Sequence, residues 1–471
     1  METLSYKPAD AGGKVIMERP NIIFYFSDQQ RADTLGCYGQ KLDISPNLDR
    51  LAKEGVLFEK AFTAQPVCGP CRALFQTGKY PTQINCFRNG QPLPFDCKTV
   101  ADYMDEAGYE TAYVGKWHLA SHRNSYTAPP DIDYEEKAIP LERRGGYRGF
   151  WRVADVLEAT SHGYDGFVFD ENMNKCEFKG YRADCITDFA LEYLDAYDGN
   201  KPFFLTISHI EPHHQNDREC YEGPIDSKER FADYELPEDL KALKGDADEM
   251  YPDYLGCCRS LDDNLGRLII KLKEKGLYDN TVIIYGSDHG SHFKTRNRDA
   301  HMMGGDDYKR SCHDSCLQVP LVIAGPGFRG GKRIKELVST AGLPKTFLSI
   351  AGVDVDEAMI GEDLERVASG ELSERKNRIF AQISESRIGR CIRTEEYLYS
   401  VYAPGQDGWQ QGSSDYYEED FLYDLKKDPY QLENQVRNPA YEKVREKLAW
   451  ELLEEIEKAE GIRPVIAPCS D

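Results

Sequence analysis

Short apolar runs alternate with helix-length segments along most of this chain, and this alternation limits the folds open to it. The runs cover residues 21–27, 110–115, 202–208, 281–286 and 320–325, and polar residues bound the first of them. Helix patterns lie between the runs, for example SPNLDRLAKEG, with Ser45 as a candidate N-cap, Pro46 in the first turn and Gly55 at the end. This order predicts a doubly wound, mostly parallel α/β sheet that is covered by helices on both faces.

Two parts of the chain depart from the alternation. The interval of about 120–180 is rich in Tyr, Arg, Gly and Pro, and it predicts a long loop insertion that could shape a pocket. After about residue 370 the pattern becomes typical of antiparallel strands, followed by an amphipathic terminal helix in EKVREKLAWELLEEIEKAEG. We therefore predict a main domain over 1–370 and a smaller C-terminal α+β subdomain over 371–471.

Charge and cysteine content restrict the partners and the location. The chain carries 58 Lys and Arg against 81 Asp and Glu, a net charge of −23, which argues against a nucleic-acid partner. The first twenty residues contain no apolar core of signal-peptide length, and no run is long enough for membrane insertion. Together with 14 cysteines spread over 471 residues, this predicts a cytoplasmic protein with reduced thiols, or a periplasmic or secreted one if a leader has been removed.

Polar side chains of one kind follow four of the predicted strands. In open α/β sheets, ligands bind beyond the carboxyl ends of the strands, so these positions are candidates for a shared site. Lys309 lies one loop further on, and by itself it would be a solvated charge. The residues after the strands are Asp28, Gln29 and Arg31; Lys116 and His118; His209, His213 and His214; and Asp288 and His289.

These residue types predict a metal and anion site. Oxygen and nitrogen donors such as Asp28, Asp288 and His289 are typical ligands of a divalent cation, and Gln29 would join them. Lysines and an arginine would neutralise a tetrahedral anion, while the histidines would transfer protons. The ordinary alternative for His118 is a half-buried histidine with satisfied hydrogen bonds. Nothing in this set is an obvious nucleophile, and the chain contains no G-x-S-x-G motif.

The stretch PVCGPCRALFQTGKYPTQ, residues 66–83, offers a nucleophile under two interpretations. As CGPC it resembles a thioredoxin redox motif, in which Cys68 and Cys71 would form a reversible disulfide. As C-x-P-x-R it makes Cys68 the reactive position and Arg72 its partner. The redox interpretation predicts a compact domain of roughly a hundred residues around the motif, and the chain has no such pattern.

From NIIFYFSDQQRADTLGCYG through C-x-P-x-R and TGKYP to YGSDHG and FLYDLKKDPYQLEN, the chain resembles the type I sulfatases of the alkaline-phosphatase superfamily. The resemblance implies an alkaline-phosphatase-like fold. It also implies that a maturation enzyme converts Cys68 to formylglycine, an aldehyde whose hydrate attacks sulfur with one hydroxyl and expels sulfate with the other. The catalytic domain would then be residues 1–370.

The same resemblance implies individual roles. It assigns a metal, most often calcium, to Asp28, Gln29, Asp288 and His289 together with the modified Cys68. The implied catalytic residues are Cys68, Arg72, Lys116, His118, His213 and Lys309. Lys116 and Lys309 would hold sulfate oxygens, His213 would protonate the leaving oxygen, and His118 would assist release of sulfate.

Departures from the family pattern leave alternatives open. Gln29 and His289 replace a more usual aspartate and asparagine, and they resemble the pattern of choline sulfatases and phosphonate monoester hydrolases. A phosphonate monoester or phosphodiester hydrolase on the same fold is therefore the main alternative. A CGPC redox protein and a non-catalytic binder of sulfated glycans are alternatives of another class.

The aromatic and arginine-rich insertion and the extra histidines predict an exo-acting carbohydrate sulfatase. The candidate substrate-binding residues are His209, His214, Tyr147, Arg148 and Trp151. The insertion aromatics have an equally simple alternative, which is that they form the core of the insertion. The role of Cys71 stays open; one hypothesis is that it traps unmodified Cys68 as a disulfide.

Overall fold

The computed structural model describes residues 19–125, 129–297, 308–372 and 375–469. The amino-terminal stretch that carries most of the leader prediction lies outside these ranges. The strands are β1 (Asn21–Ser27), β2 (Val56–Phe62), β3 (Glu110–Lys116), β4 (Trp151–Ala154), β5 (Ser161–His162), β6 (Asp165–Asp170), β7 (Lys175–Lys179), β8 (Phe203–Ser208), β9 (Thr281–Ser287), β10 (Gln318–Val319), β11 (Leu321–Ala324), β12 (Lys332–Ser339), β13 (Arg378–Ile383), β14 (Gly389–Thr394), β15 (Tyr397–Tyr402), β16 (Tyr416–Asp424) and β17 (Val465–Ala467). The helices are α1 (Pro46–Glu54), α2 (Cys68–Thr77), α3 (Val100–Glu106), α4 (Leu157–Thr160), α5 (Arg182–Ala196), α6 (Ser227–Arg230), α7 (Glu238–Leu243), α8 (Ala247–Glu274), α9 (Asp314–Leu317), α10 (Leu343–Ile350), α11 (Leu364–Ser369) and α12 (Glu442–Glu460).

A large sheet forms the centre of the molecule. In the described part of the chain it contains twelve strands in the order β10-β2-β11-β9-β1-β8-β3-β4-β6-β5, with β12 beside β2 and β7 beside β6. Its five middle strands, β9, β1, β8, β3 and β4, are all parallel. The predicted mostly parallel sheet is confirmed, and β11 joins it antiparallel to β9.

Both faces of the central parallel strands β1, β8 and β9 are buried, as a parallel sheet requires. Successive residues of β1 point to opposite faces: Phe24 and Phe26 pack with α2, α3 and α10, whereas Ile23 and Tyr25 pack with α1, α5 and α8. Alternate residues of β1 thus face helices on opposite sides of the sheet, which is the predicted doubly wound arrangement. Within the described ranges, no helix combines the length and apolarity needed to cross a membrane.

The interval of about 120–180 is not the loop insertion that its composition predicted. Apart from 126–128, which lie outside the described residues, it contains β4 to β7 and α4. β4 extends the large sheet parallel to β3, and β6 then pairs with β4 in the antiparallel direction. The aromatic residues of this interval are therefore needed for packing an enlarged sheet.

A second, smaller sheet lies near the carboxyl terminus. Strands β13 to β16 are antiparallel neighbours, and β17 adds to β16 in parallel. Leu448, Leu452 and Ile456 of α12 pack against it, which confirms the predicted smaller antiparallel sheet and terminal helix. The sheet is tied to the main body, because Gln382 of β13 donates its backbone N–H to Ala64 O.

Candidate active site at the ends of the parallel strands

The predicted strand-end residues meet at one edge of the large sheet. β1 and β9 are in register through Ser27 and Ser287, so the residues that follow, Asp28 and Asp288, are neighbours. Lys116 is the last residue of β3, two strands away from β1. All three charged side chains are completely buried. Parallel strand direction thus concentrates charge at this edge, where solvent is largely excluded.

Cys68 lies at the centre of this edge as the first residue of α2. Its thiol donates to Asp28 Oδ1 at 3.3 Å and lies 3.2 Å from His289 Nε2. Lys309 donates from Nζ to the Cys68 sulfur at 3.0 Å. Gly69 lets the helix begin here: a Cβ at this position would lie 3.0 Å from Asn89 Oδ1 and 3.4 Å from a backbone oxygen of His118.

Four side chains in this edge could hold a metal ion. One donor atom from each of Asp28, Cys68, Asp288 and His289 lies within 4.8 Å of the others. Burial would raise the pKa of Asp28, but Lys116 and His213 lower it well below its usual range. Burial and the Asp28 carboxylate raise the pKa of Asp288. Two buried carboxylates that repel each other beside an imidazole are a donor set that a divalent cation would stabilise.

Gln29 belongs to the same edge but its amide group is engaged elsewhere. Its backbone N–H donates to Asp288 Oδ1 at 3.1 Å. Its side-chain nitrogen donates to Tyr221 and Ser291 at 3.3 Å each, and its side-chain oxygen accepts the backbone N–H of His214 at 3.4 Å. The Gln29 oxygen accepts only this one bond and has a second lone pair with which it could contact a metal.

Arg72 holds the two carboxylates in place from the second turn of α2. It donates to Asp28 Oδ2 at 3.0 Å, and its Nε lies 3.5 Å from Asp288 Oδ2. Its other terminal nitrogen donates to Lys116 O and to Ser208 Oγ, both at 2.7 Å. The guanidinium therefore connects the ends of β1, β3, β8 and β9.

Two lysines approach Cys68 and Asp28 from different sides. Lys116 Nζ donates to Asp28 Oδ2 at 2.9 Å, and Lys309 Nζ lies 2.8 Å from His213 Nε2 as well as against Cys68. Lys309 contacts the Cys68 sulfur directly, and Lys116 is linked to it through Asp28, which accepts from both the thiol and Lys116. An anion that entered between them would meet two cationic donors.

The two predicted proton-transfer histidines lie beside these lysines, His213 buried and His118 half-buried. Burial and Lys309 lower the pKa of His213 well below its usual value, and burial and Lys116 do the same for His118. Both are therefore neutral near pH 7. Neutral His213 can accept a hydrogen bond from Lys309, as the 2.8 Å contact requires.

Glu158 is a site residue that the sequence analysis missed. Both of its carboxylate oxygens lie 3.1 Å from Lys116 Nζ. It sits on the four-residue helix α4, directly after β4, in the interval that was predicted to be a loop. Four residues are too few for a periodic pattern. The position of Glu158 just past the end of another parallel strand is the signal that could have identified it.

Three of the five predicted substrate contacts pack among core side chains and do not face the anion site. Tyr147 and Trp151 are 2% and 1% exposed and pack with Tyr113 and Trp117 in the core. His209 is completely buried against the Tyr25 ring, and burial and Arg182 lower its pKa to about 3. Aromatic composition and strand-end position did not distinguish core side chains from pocket side chains.

The other two predicted contacts differ from each other. Arg148 lies near the beginning of β3, where its N–H donates to Thr111 Oγ1 and its side chain pairs with Asp102 and Asp105 of α3. Because Lys116 ends the same strand, Arg148 is about 16 Å away from the site, and its prediction is wrong. His214 is beside Gln29, with its ring stacked on Tyr308 at 4.3 Å, so its role stays a prediction.

Cys71, the second cysteine of CGPC, is buried one turn further along α2. Its sulfur lies 3.3 Å from Thr63 Oγ1, and burial and Asp288 raise its pKa. α2 packs on the twelve-stranded sheet within one large core, not in a compact thioredoxin-like domain. The redox interpretation of CGPC therefore loses the fold on which it depends.

Comparison with known proteins gives a consistent result. Residues 20–353 match the family model described as Sulfatase, and residues 306–458 match the model described as N-sulphoglucosamine sulphohydrolase, C-terminal. An ulvan-active sulfatase of Formosa agariphila is 28% identical, over 91% of this chain and 80% of the relative. An N-acetylglucosamine-6-O-sulfatase of Bacteroides thetaiotaomicron is 26% identical, over 94% of this chain and 87% of the relative. A solved structure in complex with its substrate D-glucosamine-2-N,6-O-disulfate has a similar fold, with a TM-score of 0.72 at 24% identity over 94% of this chain and 98% of that one.

Proposed function

Since the chain belongs to the sulfatase family, we propose that this sulfuric ester hydrolase acts on a sulfated carbohydrate through a formylglycine formed from Cys68. The observation that carries the proposal is the environment of Cys68. Its sulfur is 3.0 Å from Lys309 Nζ, 3.2 Å from His289 and 3.3 Å from Asp28, so a cation, a carboxylate and an imidazole converge on one side chain.

A divalent metal fits this donor set, with Asp28, Asp288, His289 and modified Cys68 as its ligands. Burial would lower the pKa of His289, but Asp288 and Cys68 raise it to about 10, so the surroundings favour a positive charge at that position. Calcium is the preferred candidate because carboxylate oxygens dominate the set. Replacing the cysteine sulfur by an aldehyde-derived oxygen adds one more of the oxygen donors that calcium prefers. When bound, the ion supplies positive charge that lowers the pKa of an attacking hydroxyl.

The hydrate of an aldehyde carries two hydroxyl groups on one carbon, one to attack sulfur and one to release sulfate afterwards. The residues of the chain would do the rest. Lys116 and Lys309 bind the sulfate oxygens from two sides, and Arg72 keeps Asp28 and Asp288 in position for the metal. The anionic ester raises the proton affinity of the nearby imidazoles, which are neutral in the free enzyme.

His213 then becomes the donor for the leaving oxygen. The bound ester draws Lys309 Nζ away from its 2.8 Å contact with His213 Nε2, which frees that nitrogen to take up a proton from solvent and pass it to the leaving oxygen while Lys309 keeps its charge. His118, whose backbone N–H is held by Asp155 O at 2.7 Å, takes up the proton that is lost when sulfate departs.

A carbohydrate sulfate is the proposed substrate class because two relatives are sulfatases of ulvan and of N-acetylglucosamine-6-O-sulfate. The exo-acting mode remains part of the proposal. His214, whose backbone N–H donates to the Gln29 side-chain oxygen and whose ring stacks on Tyr308, is the remaining predicted contact to the sugar.

The test uses enzyme matured in a host with a formylglycine-generating maturation enzyme. We expect turnover of at least one sulfated monosaccharide or glycosaminoglycan disaccharide at a kcat/KM well above that for choline sulfate. Activity should fall after treatment with a chelator and return with Ca²⁺. Turnover of choline sulfate or simple aryl sulfates alone would refute the carbohydrate assignment.

Gln29 and His289 are the observation that favours a second candidate, a phosphonate monoester or phosphodiester hydrolase. Both residues lie among the candidate metal ligands: the Gln29 backbone N–H donates to Asp288, and His289 contacts Cys68. The two candidates are separated by kcat/KM for 4-nitrophenyl sulfate and for bis(4-nitrophenyl) phosphate on the same matured sample. A large preference for the phosphodiester would replace the sulfatase proposal by the second candidate.

A further inference from the structure

The anion site contains a negative charge that the reaction scheme above does not use. Glu158 lies behind Lys116, with both oxygens 3.1 Å from Nζ, while Asp28 Oδ2 lies 2.9 Å from the same nitrogen. The Glu158 side chain is 15% exposed and Lys116 is completely buried. Lys116 therefore meets a substrate anion with its charge already shared between two carboxylates.

Glu158 remains charged under working conditions. Burial would raise its pKa, but Lys116 and His213 lower it to about 2. The charged or titratable groups that face it are Lys116, His213 and Asp28. A permanent carboxylate next to an anion-binding lysine repels every anion in the site, and it repels a dianion about twice as strongly as a monoanion.

This difference matters for tetrahedral esters. A sulfate monoester carries one negative charge, and so does a phosphodiester. A phosphate monoester carries close to two charges at neutral pH, because its second pKa is about 6. Inorganic sulfate, the product of the reaction, also carries two charges.

We propose that Glu158 is a specificity-determining residue that lets this site accept monoanionic esters and reject dianions. The inference rests on the proposed sulfate-ester activity and adds to it a reason for rejecting phosphate monoesters. It also gives a reason for product release, because hydrolysis converts a tolerated monoanion into a repelled dianion beside the same carboxylate.

The geometry supports a charge role over a purely structural one. Lys116 is already held by Asp28 at 2.9 Å, so Glu158 is not its sole anchor. α4 is kept in place by other contacts, since Gln215 Nε2 donates to the Glu158 backbone oxygen at 3.0 Å and Leu157 is buried in the core. Changing only the charge of this side chain is therefore a fair test.

The experiment compares three aryl esters that share one leaving group: 4-nitrophenyl sulfate, bis(4-nitrophenyl) phosphate and 4-nitrophenyl phosphate. For Glu158→Gln we expect the ratio of kcat/KM for phosphate monoester to that for sulfate ester to rise on the order of ten- to a hundredfold over wild type. The ratio for phosphodiester to sulfate ester should change by less than about threefold, because these two esters carry equal charge. The inhibition constant of inorganic sulfate should fall by more than the factor by which the first ratio rises, because the ratio reports only the difference in repulsion between a dianion and a monoanion.

Two controls accompany the variant. Glu158→Asp keeps the charge and should keep the rejection of phosphate monoester. Glu171→Gln removes a carboxylate from the same interval, where it pairs with Arg152, and should leave every ratio unchanged. All rates are normalised to the formylglycine content of each sample, measured by peptide mass spectrometry.

The outcomes separate this inference from the function on which it rests. If wild type hydrolyses the sulfate ester but Glu158→Gln changes all three substrates by one common factor, the residue only positions Lys116 and the inference is wrong. If the ratio moves as strongly for the phosphodiester, charge is not the cause and the inference is again wrong. A matured wild type with no sulfate-ester activity would refute the proposed function, and the inference with it.

Discussion

Residues at the two ends of the segment 147–158 have different roles, although the segment contains a single strand, β4. Its beginning contributes Tyr147 and Trp151 to an aromatic cluster with Tyr113 and Trp117, in which neighbouring ring centroids lie 5.0–6.3 Å apart. Its end leads into Glu158, whose carboxylate touches the buried amine of Lys116. Residues of one short segment thus serve either packing or chemistry.

Strand direction explains the difference. β4 runs parallel to β3, with Trp151 opposite Tyr113 and Ala154 opposite Lys116. Whatever follows Ala154 reaches the carboxyl edge of the sheet, and whatever precedes Trp151 remains near the other edge or in the core. A residue's distance along a parallel strand therefore decides its role more than its chemical type does, and the predictions below test that rule.

The largest effect is expected for Cys68→Ala, at the centre of the carboxyl edge. Removing the group that supplies the nucleophile should lower kcat/KM for a sulfate ester by about 10⁴-fold or more. Cys71→Ala is the matched control, because Cys71 lies one turn along α2 and contacts Thr63 instead of the metal cluster. In protein with equal formylglycine content it should retain activity within about threefold of wild type. Equal losses in the two variants would contradict the assignment of Cys68.

Trp151→Ala tests the packing role of the beginning of the segment 147–158 by its effect on the free energy of unfolding. The side chain is 1% exposed and packs in the aromatic cluster, so its removal should cost about 3–5 kcal/mol of unfolding free energy. The cost should be visible in urea unfolding and should be much smaller for Trp151→Phe. The folded fraction should keep the kcat/KM of wild type within about threefold, because no substrate contact is lost. A specific rise in KM with unchanged stability would restore Trp151 as a substrate contact.

Lys309→Ala removes a cation from the carboxyl edge of the sheet. Loss of a cation that faces the transferred group should lower kcat/KM by about 10²–10³-fold, which corresponds to about 3–4 kcal/mol. Lys309→Arg should recover part of this loss. Lys271→Ala, in which a lysine of α8 loses its pair with Asp195, serves as the control and should have normal kinetics. An unaffected Lys309→Ala enzyme would remove this lysine from the mechanism.

Glu158→Gln and Trp151→Ala, at the two ends of the segment 147–158, should differ in how their effect on the free energy of unfolding depends on pH. Because the folded-state pKa of Glu158 is lowered to about 2, the stabilisation is present in full above the unfolded pKa of about 4.3 and is lost as pH falls towards 2. We expect the variant to cost about 2–3 kcal/mol at pH 7 and progressively less below pH 4.3. The cost of Trp151→Ala should not follow this dependence. Parallel curves for the two variants would contradict the charge assigned to Glu158.

The smallest effect is expected for Arg148→Ala. Its side chain is 55% exposed and pairs with Asp102 and Asp105 on the surface. Stability should change by less than about 1 kcal/mol, and kcat/KM for every sulfate ester should stay within about twofold of wild type. A selective rise in KM for a sugar sulfate would show that Arg148 reaches the substrate after all.

The same rule explains how far the sequence could predict the molecule. Apolar runs bounded by polar residues identified strands β1, β3, β8 and β9, and their direction was enough to bring Asp28, Lys116 and Asp288 together. The aromatic interval was misjudged because a composition rich in Tyr, Arg and Trp suits a core as well as a pocket. Glu158 was missed because its helix has only four residues, and only the pairing of β4 with β3 brings it to Lys116.

The central claim is that Cys68 supplies the modified nucleophile of a sulfatase. The most direct test is the mass of the tryptic peptide 61–72, which contains Cys68 and Cys71, from active protein purified from its natural host. We predict that the thiol-bearing Cβ of Cys68 is oxidised to an aldehyde with loss of the sulfur, that Cys71 is unmodified, and that sulfate-ester turnover rises in proportion to the aldehyde content. An unmodified Cys68 in a preparation that hydrolyses sulfate esters would contradict the account.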